Sequence, residues 1–426
     1  MGSLADRGQV CCDPTTPVAI VGMGLRGPGE ANNLAGFFKL LSEAQETRTA
    51  GQNGRWNHDA FYHPDAARKG SSNVKAGHYI IDDLSLFDAS LFRMTESEAA
   101  ADYTDLLQRD PDSMPYYQAT SSGYSRAIIS NRLSHFFDLR GPSVTVDTAC
   151  YGGLAALHLA CQSIRSGETT QAIFGGSSLI LHPHQFDSLS AMRPDGRSYS
   201  FDDRAEGYAR GEGDGGTPGI SFPSRNAQVS LIKETYARAG LDPKDTSYVE
   251  AHGTGTGAGD PIETSAIAEA MTQSRDLDAE PLWIGSVKAN IGHLKAASGI
   301  ASVVKCVLML ENKVIFPNRN LANVNPRVDL EGWRLKIPIS FQPWTIKAGG
   351  VHRVSVNSFG FGGTNVHAIL ERAEEFLANS HDGAIGDKHI SSMGSRCSIS
   401  HGLAHEGNGL QRALPTALQP GGADLH

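Results

Sequence analysis

The stretch VDTACYGGLAALHLACQSIRSG, residues 146–167, joins two different local patterns. Residues 142–146, which lead into it, are rich in β-branched side chains and predict an extended segment. A helical pattern follows, with one apolar face made of Leu154, Leu157, Cys161 and Ile164. Cys150 therefore lies at a strand-to-helix turn, at the N-terminal end of the predicted helix.

Two interpretations of Cys150 are open from this stretch alone. The N-terminus of a helix carries partial positive charge and unpaired N–H groups, which favour a reactive thiolate. A buried and inert cysteine would show the same local pattern. Gly152 and Gly153 occupy the first helical positions, where each is expected to weaken the start of the helix by roughly 0.5–1 kcal/mol.

Composition and charge exclude several classes of protein. The 426 residues are 40% hydrophobic and 19% charged, with a net charge of −9 and no long basic run, which argues against a nucleic-acid groove. The six cysteines are scattered without a CxxC pair, which argues against a disulfide scaffold or a zinc site. The most apolar stretch, residues 300–310, contains Lys305 and is too short to cross a membrane. We expect a soluble cytoplasmic protein.

Alternating strand and helix patterns predict an α/β layered fold. Predicted strands cover residues 17–21, 170–181, 248–250 and 282–287. Predicted helices cover residues 34–41, 226–239, 260–271 and 299–311, and a final hairpin joins 353–357 to 367–371. Residues 1–16 are expected to form a flexible leader. Residues 372–426 are expected to be disordered, because Ser, Gly, His and Asp replace apolar residues there.

Three further motifs follow predicted strands. They read EAHGTGT at residues 250–256, KANIGH at 288–293 and NSFGFGGTN at 357–365. His252 and His293 stand in the first two, and each histidine taken alone could be purely structural. The dense glycines of the third motif allow close backbone approach to a ligand and offer N–H groups to an oxyanion.

Together the four motifs resemble those of the β-ketoacyl synthases, in the same order along the chain. The resemblance covers residues 17–371, and FYHPDAARKGSSNVKAGHYI at 61–80 is similar to the ketosynthase domain of fungal highly reducing polyketide synthases. It implies a thiolase-like layered αβαβα fold with two similar halves. Residues 17–222 would carry the nucleophile, and residues 223–371 would carry both histidine motifs.

The resemblance also implies a role for each motif residue. Cys150 would be the nucleophile that accepts an acyl chain, with His252 and His293 binding the malonyl thioester and assisting its decarboxylation. Lys288 would act electrostatically on His293. The backbone N–H groups of Cys150 and Phe361 would form the oxyanion hole, and Phe361 would gate the acyl pocket. The supporting residues would be Phe359, Gly362, Gly363, Thr254 and Thr256.

The implied activity is that of an acyltransferase that forms carbon–carbon bonds. It would catalyse decarboxylative Claisen condensation of the cysteine-bound acyl chain with malonyl-carrier protein, in polyketide or fatty acid biosynthesis. No metal or other cofactor is implied, because the substrate arrives on the phosphopantetheine arm of a carrier. The expected partners are an acyl carrier protein supplied in trans and a second copy of the chain in a homodimer.

The sequence departs from the family at two joins. Ala101 runs directly into Asp102, and Gly213 runs directly into Asp214, where the family has longer segments with core strands. Core segments are therefore expected to be missing after Ala101 and after Gly213. A catalytically inactive remnant or accessory protein of the same ancestry remains an alternative. A thiolase-type enzyme fits less well, because thiolases use a second cysteine as base where this chain has two histidine motifs.

Overall fold

The computed structural model describes most of the chain between residues 16 and 374. Its described residues are 16–50, 55–65, 68, 70–83, 126–180, 186, 192–212, 224–276, 279–346, 350–360 and 364–374, together with the backbone of 395–403. Residues 1–15 of the predicted leader and both shortened joins lie outside these ranges. Among the described helices, none combines the length and the apolar content that a membrane crossing requires.

Helices and strands alternate through the described residues. The helices are α1 (Leu34–Ser42), α2 (Arg126–Phe136), α3 (Gly152–Arg165), α4 (Arg225–Ala239), α5 (Gly259–Met271), α6 (Lys288–Ile291) and α7 (Ala296–Asn312). The strands are β1 (Val18–Ile20), β2 (Arg48–Ala50), β3 (Ala76–His78), β4 (Tyr248–Glu250), β5 (Leu282–Gly285), β6 (Val314–Ile315), β7 (Leu335–Lys336), β8 (Gln342–Pro343), β9 (Arg353–Phe359), β10 (Thr364–Arg372) and β11 (Ser395–Leu403).

A seven-stranded mixed sheet, in the order β1-β11-β10-β9-β4-β5-β7, forms the centre of the fold. The pairs β9–β4, β4–β5 and β5–β7 are parallel, whereas the pairs β9–β10, β10–β11 and β11–β1 are antiparallel. The predicted final hairpin is confirmed as β9 and β10. Parallel strands place their carboxyl ends at one edge, and this arrangement brings the end of β4 next to the end of β5.

Helices cover both faces of this sheet, as a layered α/β fold requires. Along β9, Val354 and Val356 pack into a core shared with α3 and α7, while Ile369 of β10 packs into a second core with α4 and α5. The alternation follows from the two-residue period of a strand, which sends neighbouring side chains to opposite faces. Helix α7 is buried along almost all of its length.

The predicted strand at residues 170–181 does not form over its described part, residues 170–180, apart from an isolated bridge at Ser178. Residues 171–177 and 142–148 are without regular secondary structure. Apolar side chains on them, and on the segment after β1, face solvent: Val21 is 79% exposed, Val144 63% and Ile173 68%. A strand requires a hydrogen-bonded neighbour, and sequence pattern alone does not say whether one is present.

Strand β11 lies within residues 372–426, for which the sequence predicts disorder. The expectation is wrong for Ser395–Leu403, because this stretch pairs along the full length of β10 on one side and with β1 on the other. The edges of β1 and β10 offer unpaired N–H and C=O groups, and β11 binds both of them. Backbone hydrogen bonds therefore order this polar segment, although it has little apolar surface to bury.

A buried ion pair ties the sheet to α7. The Lys305 ammonium lies 2.6 Å from the Glu250 carboxylate and 2.9 Å from the Tyr248 hydroxyl, and Lys305 and Glu250 are almost fully buried. The Glu250 carboxylate also accepts the Val287 N–H at 2.6 Å. The network therefore joins β4 both to α7 and to the turn that begins α6.

Two substitutions compare a buried apolar side chain with an exposed one. Ile284→Ala removes a side chain that is fully buried in β5 and should lower the free energy of unfolding by about 2–5 kcal/mol. Ile173→Ala should change it by about 0.5 kcal/mol or less, because Ile173 is 68% exposed. Urea unfolding of both variants measures the difference. A large cost at Ile173 would mean that another segment or molecule covers this surface.

Candidate functional site

Cys150 lies in a single turn of 3-10 helix, Ala149–Tyr151, that leads directly into α3. The Ser358 hydroxyl at the end of β9 donates a hydrogen bond of 3.3 Å to the Cys150 carbonyl. Cys150 is partly exposed, whereas Tyr151 is 6% exposed and belongs to the core. The two neighbours therefore differ in burial, and Tyr151 anchors the turn in the core.

Gly152 and Gly153 allow the start of α3 to pack tightly against α7. A Cβ atom on Gly153 would lie 2.7 Å from the Ile300 side chain, and one on Gly299 of α7 would lie 2.6 Å from Leu154. Both distances are too short for a real side chain. The two glycines after Cys150 therefore do more than weaken the helix start, since their missing side chains set how closely the two helices cross.

His252 lies two positions after Glu250, the last residue of β4. The Glu263 carboxylate of α5 accepts the His252 N–H at 2.7 Å and the Gly253 N–H at 2.9 Å. Glu263 also accepts a hydrogen bond of 2.9 Å from the Asn357 side-chain amide. One buried carboxylate thus fixes the backbone on which His252 stands and ties it to β9.

His293 is 3% exposed and is held by its own backbone. Its N–H donates to the Ala209 carbonyl at 2.7 Å, and its carbonyl accepts the Gly211 N–H at 3.2 Å. Its Nδ1 lies 2.8 Å from the Ser298 hydroxyl at the start of α7. The other ring nitrogen, Nε2, is therefore the atom available to a substrate.

The two imidazoles meet at the carboxyl edge of the parallel strands. Their ring centroids are 5.4 Å apart with planes at 86°, and Phe359 lies 6.2 Å from His252. Ser358 and Phe359 are neighbours on β9, so adjacent residues of one strand contact the Cys150 turn and the His252 ring. The Cys150 turn and the two histidines thus both lie at the end of β9, where Ser358 contacts the former and Phe359 the latter.

Lys288, the first residue of α6, is 1% exposed in the same region. Burial lowers the pKa of Lys288, while Glu250 and Glu263 oppose the shift. Burial also lowers the pKa of His252 and of His293 well below the usual value, and the Lys288 charge adds to both shifts. Both histidines are therefore neutral near pH 7 and keep one N–H each as a donor.

Burial raises the pKa of the Cys150 thiol, which is opposite to the direction that a helix N-terminus alone predicts. The positive charges of Lys288, Lys295 and Arg210 act against this increase. Ionisation of the Cys150 thiol therefore depends on nearby cations as well as on its position at the start of α3.

The remaining predicted residues fall into two groups. Thr254 is buried, with its hydroxyl 3.5 Å from that of Thr256, and Thr256 accepts the Gly259 N–H at 3.2 Å. These contacts fix the turn between His252 and α5. Phe361, Gly362 and Gly363 lie outside the described residues. The described residues contain no cluster of three or more His, Cys, Asp or Glu that could hold a metal.

Four residues of the site were not predicted from the sequence: Glu263, Ser298, Tyr208 and Arg210. Glu263 lies eleven positions after His252, on α5, the helix that follows β4. This strand–turn–helix pattern was the signal in the sequence that could have identified Glu263. The Tyr208 ring lies 5.3 Å from His293, and Arg210 lies beside the backbone of His293. Nothing in the local pattern marks these two as buried in the site.

Models of one protein family match nearly the whole described chain. The β-ketoacyl synthase N-terminal domain matches residues 15–109 and 99–217, and the C-terminal domain matches residues 204–322. The chain belongs to the β-ketoacyl synthase family. A third model, the ketoacyl-synthetase C-terminal extension, matches residues 325–395, up to the first residue of β11.

Relatives of this β-ketoacyl synthase chain include fungal polyketide synthases. The highly reducing polyketide synthase tstA of Talaromyces stipitatus is 45% identical, covering 85% of this chain and 17% of its own length. The highly reducing polyketide synthase phiA of a fungal species is 44% identical, covering 86% of this chain and 17% of its own length. The chain thus spans about a sixth of the length of these curated relatives, and the predicted resemblance is confirmed.

Solved ketosynthase structures confirm the thiolase-like α/β fold class. The ketosynthase from module 6 of the bacillaene synthase of Bacillus subtilis superposes with a TM-score of 0.74 at 31% identity, covering 84% of this chain and 72% of that one. The oxazolomycin ketosynthase domain of Streptomyces albus gives a TM-score of 0.70 at 30% identity, covering 81% and 72%.

The same comparisons support the predicted shortening of this β-ketoacyl synthase. The N-terminal domain model matches in two pieces whose ends meet near Ala101. The alignment with the Talaromyces relative is 436 positions long but covers 85% of 426 residues, about 362, so about 74 positions have no counterpart here. No comparison favours the inactive alternative.

The neutral histidines make stability depend on pH. Their folded pKa values lie well below 6.5, so below about pH 6.5 the unfolded chain binds protons that the folded chain does not. The free energy of unfolding should then fall as pH drops, by up to about 1.4 kcal/mol per pH unit for each histidine. Urea unfolding between about pH 7 and pH 5 measures this slope, which should be shallower in the double variant His252→Asn/His293→Asn. If the double variant has the same slope as the wild-type protein, His252 and His293 are not the source of the pH dependence.

Proposed function

We propose that this chain catalyses decarboxylative Claisen condensation between a Cys150-bound acyl chain and a malonyl thioester. The observation that carries the proposal is the convergence of Cys150 with the neutral His252 and His293 at one edge of the sheet. Family membership supports the same reaction class. The proposed reaction uses one nucleophile and two hydrogen-bond donors, and these are the roles that we propose for the three side chains.

The first step is acyl transfer. The Cys150 thiolate attacks the carbonyl of an acyl thioester, the carbon–sulfur bond to the carrier breaks, and the carrier leaves as a thiolate that takes up the proton released when Cys150 ionised. Charge that develops on the carbonyl oxygen needs N–H donors. The Cys150 N–H at the beginning of α3 and the Phe361 N–H are the proposed donors.

The second step begins with loss of CO₂ from the malonyl thioester, which leaves an enolate. His252 and His293 donate hydrogen bonds to this anion, and His293 does so from Nε2 when the Ser298 hydroxyl donates to Nδ1. The enolate carbon attacks the Cys150 thioester, a carbon–carbon bond forms, and the Cys150 thiolate leaves. The product is a β-ketoacyl thioester on the carrier.

Partners and cofactors follow from this chemistry. Loss of CO₂ drives bond formation, so the proposed reaction requires no metal and no redox cofactor. Both substrates arrive as thioesters, and we propose an acyl carrier protein, acting in trans, as the protein that presents them. We also propose that the protein forms a homodimer and is located in the cytoplasm.

Acylation of the intact protein tests the first step. Incubation with a short acyl thioester should add the mass of one acyl group, measured by mass spectrometry of the whole chain, because Cys150 is partly exposed. Cys150→Ala should abolish the increase. Cys161→Ala is the matched control and should keep it, since Cys161 is 2% exposed on the apolar face of α3. A folded wild-type chain that gains no mass would refute the proposal.

Substitution of a histidine separates the two steps. His293→Ala should leave Cys150 acylation close to wild-type while slowing CO₂ release from a malonyl thioester by about 10²–10⁴-fold. Release of CO₂ and acyl mass are measured on the same samples. His135→Ala, on the exposed side of α2, is the control and should change neither quantity. Equal CO₂ release in the His293 variant would remove this histidine from the mechanism.

A further inference from the structure

The buried carboxylate that holds the backbone of His252 is itself bound by a side chain of the sheet. Oε1 of Glu263 accepts the His252 N–H at 2.7 Å and the Asn357 side-chain amide at 2.9 Å. Oε2 of Glu263 accepts the Gly253 N–H at 2.9 Å. Of these three donors, the Asn357 amide alone comes from outside the His252 turn. The contact with Asn357 therefore sets where this turn lies relative to β9.

A further hydrogen bond continues from Asn357 to His367. The two residues stand directly opposite each other on β9 and β10, and Asn357 Oδ1 lies 2.7 Å from His367 Nδ1. Both side chains are fully buried, and the imidazole of His367 lies 5.7 Å from the ring of Tyr236 on α4. Side chains in hydrogen-bond contact thus connect the interior of β10 with the backbone of His252.

The chemistry of the amide fixes the direction of these hydrogen bonds. Asn357 can donate to the carboxylate only from Nδ2, so its Oδ1 faces His367 and accepts a hydrogen from Nδ1. Burial lowers the pKa of His367 to about 3, so the ring is neutral near pH 7 and carries a single hydrogen. A hydrogen on Nε2 would have no acceptor among the described residues, which agrees with its placement on Nδ1.

His367 selects one of the two orientations of the Asn357 amide. A rotation by half a turn would place Oδ1 against the Glu263 carboxylate and Nδ2 against the His367 N–H. Acceptor would then face acceptor and donor would face donor, and each buried mismatch is costly. The N–H of the imidazole therefore keeps the amide donor of Asn357 directed at the carboxylate.

We propose that His367 is a positioning residue that holds His252 in place for catalysis through Asn357 and Glu263. The proposal rests on the proposed function, in which His252 donates a hydrogen bond to the enolate. Acyl transfer to Cys150 does not use that hydrogen bond. Loss of the His367 N–H therefore slows decarboxylation more than acylation, whereas a purely structural role would leave the ratio of the two rates unchanged.

Two substitutions of similar size separate the N–H of His367 from its volume. His367→Asn keeps a donor near the place of Nδ1, because the amide nitrogen and Nδ1 are both attached to Cγ. His367→Leu removes the donor. CO₂ release from a malonyl thioester should fall about three- to thirty-fold in His367→Leu and by about threefold or less in His367→Asn. Acylation of Cys150, measured on the same samples, should stay within about twofold of wild-type in both.

Amide hydrogen exchange reports the hold on His252 without any substrate. Mass spectrometry of the peptide that contains His252 and Gly253 follows the two N–H groups that Glu263 accepts. Their exchange should become about three- to thirty-fold faster in His367→Leu, because a weaker hold on the carboxylate lets the turn open more often. His367→Asn should exchange at close to the wild-type rate.

His352→Leu is the matched control for removal of a buried histidine. His352 is 3% exposed, and its Nε2 lies 3.0 Å from the Trp344 carbonyl. It directly precedes β9, at the end of the strand opposite to Phe359. Its replacement should lower the free energy of unfolding. Both the exchange at His252 and the ratio of CO₂ release to acylation should stay at wild-type values.

The wild-type protein provides a test that remains if His367→Leu fails to fold. Nitrogen NMR of histidine-labelled protein, with the His367 signal assigned from its loss in His367→Asn, should show a neutral ring with its hydrogen on Nδ1. A hydrogen on Nε2 would overturn the proposal. Wild-type exchange together with a wild-type ratio of rates in folded His367→Leu would also overturn it.

Failure of the proposed function would give a different result. In that case the exchange at His252 would still become faster in His367→Leu, while wild-type protein would release no CO₂ and gain no acyl mass. The exchange and the two rates are measured on the same protein preparations, so the two failures are distinguishable.

Discussion

The close crossing of α3 and α7 is the constraint on which the site depends. Gly153 and Gly299 remove the side chains that would separate these helices, and the start of α3 carries Cys150 while the start of α7 carries Ser298. Because Ser298 contacts His293, the distance between the two helices sets the relation between nucleophile and histidine. A methyl group at Gly153 would displace one of the two, even though neither glycine touches a substrate.

Charge is distributed unevenly around this crossing. Glu250 pairs with Lys305 at 2.6 Å, and the negative charges of Glu250 and Glu263 oppose the lowering of the Lys288 pKa by burial. The two histidines have lowered pKa values, and the buried Arg210 has no carboxylate partner among the described residues. This distribution of charge suits the proposed reaction, in which a thiolate, a carboxylate and an enolate each bring negative charge into the site.

Secondary structure was predicted correctly where it depends on residues that are close together in the sequence. The helices around residues 226–239 and 260–271, the strand Tyr248–Glu250 and the hairpin of β9 and β10 all follow from side-chain periodicity. Pairing across distant segments was not predictable. Residues 171–177 have a strand-like sequence but form no strand with another part of the described chain, whereas β11 pairs with two strands without a strand-like sequence. The motif residues Cys150, His252 and His293 were found from resemblance, whereas the burial of Arg210 depends on packing that no motif encodes.

The position of β11 has a consequence for how the chain folds. Val18 of β1 pairs with Cys397, so one edge of the central sheet joins positions from opposite ends of the described chain. Closing a loop of this size costs about 5 kcal/mol of chain entropy before any contact repays it. A chain emerging from the ribosome can form the β9–β10 hairpin locally, but β1 must wait until β11 has been made. The first strand of the sheet to be synthesised is thus among the last to find its place.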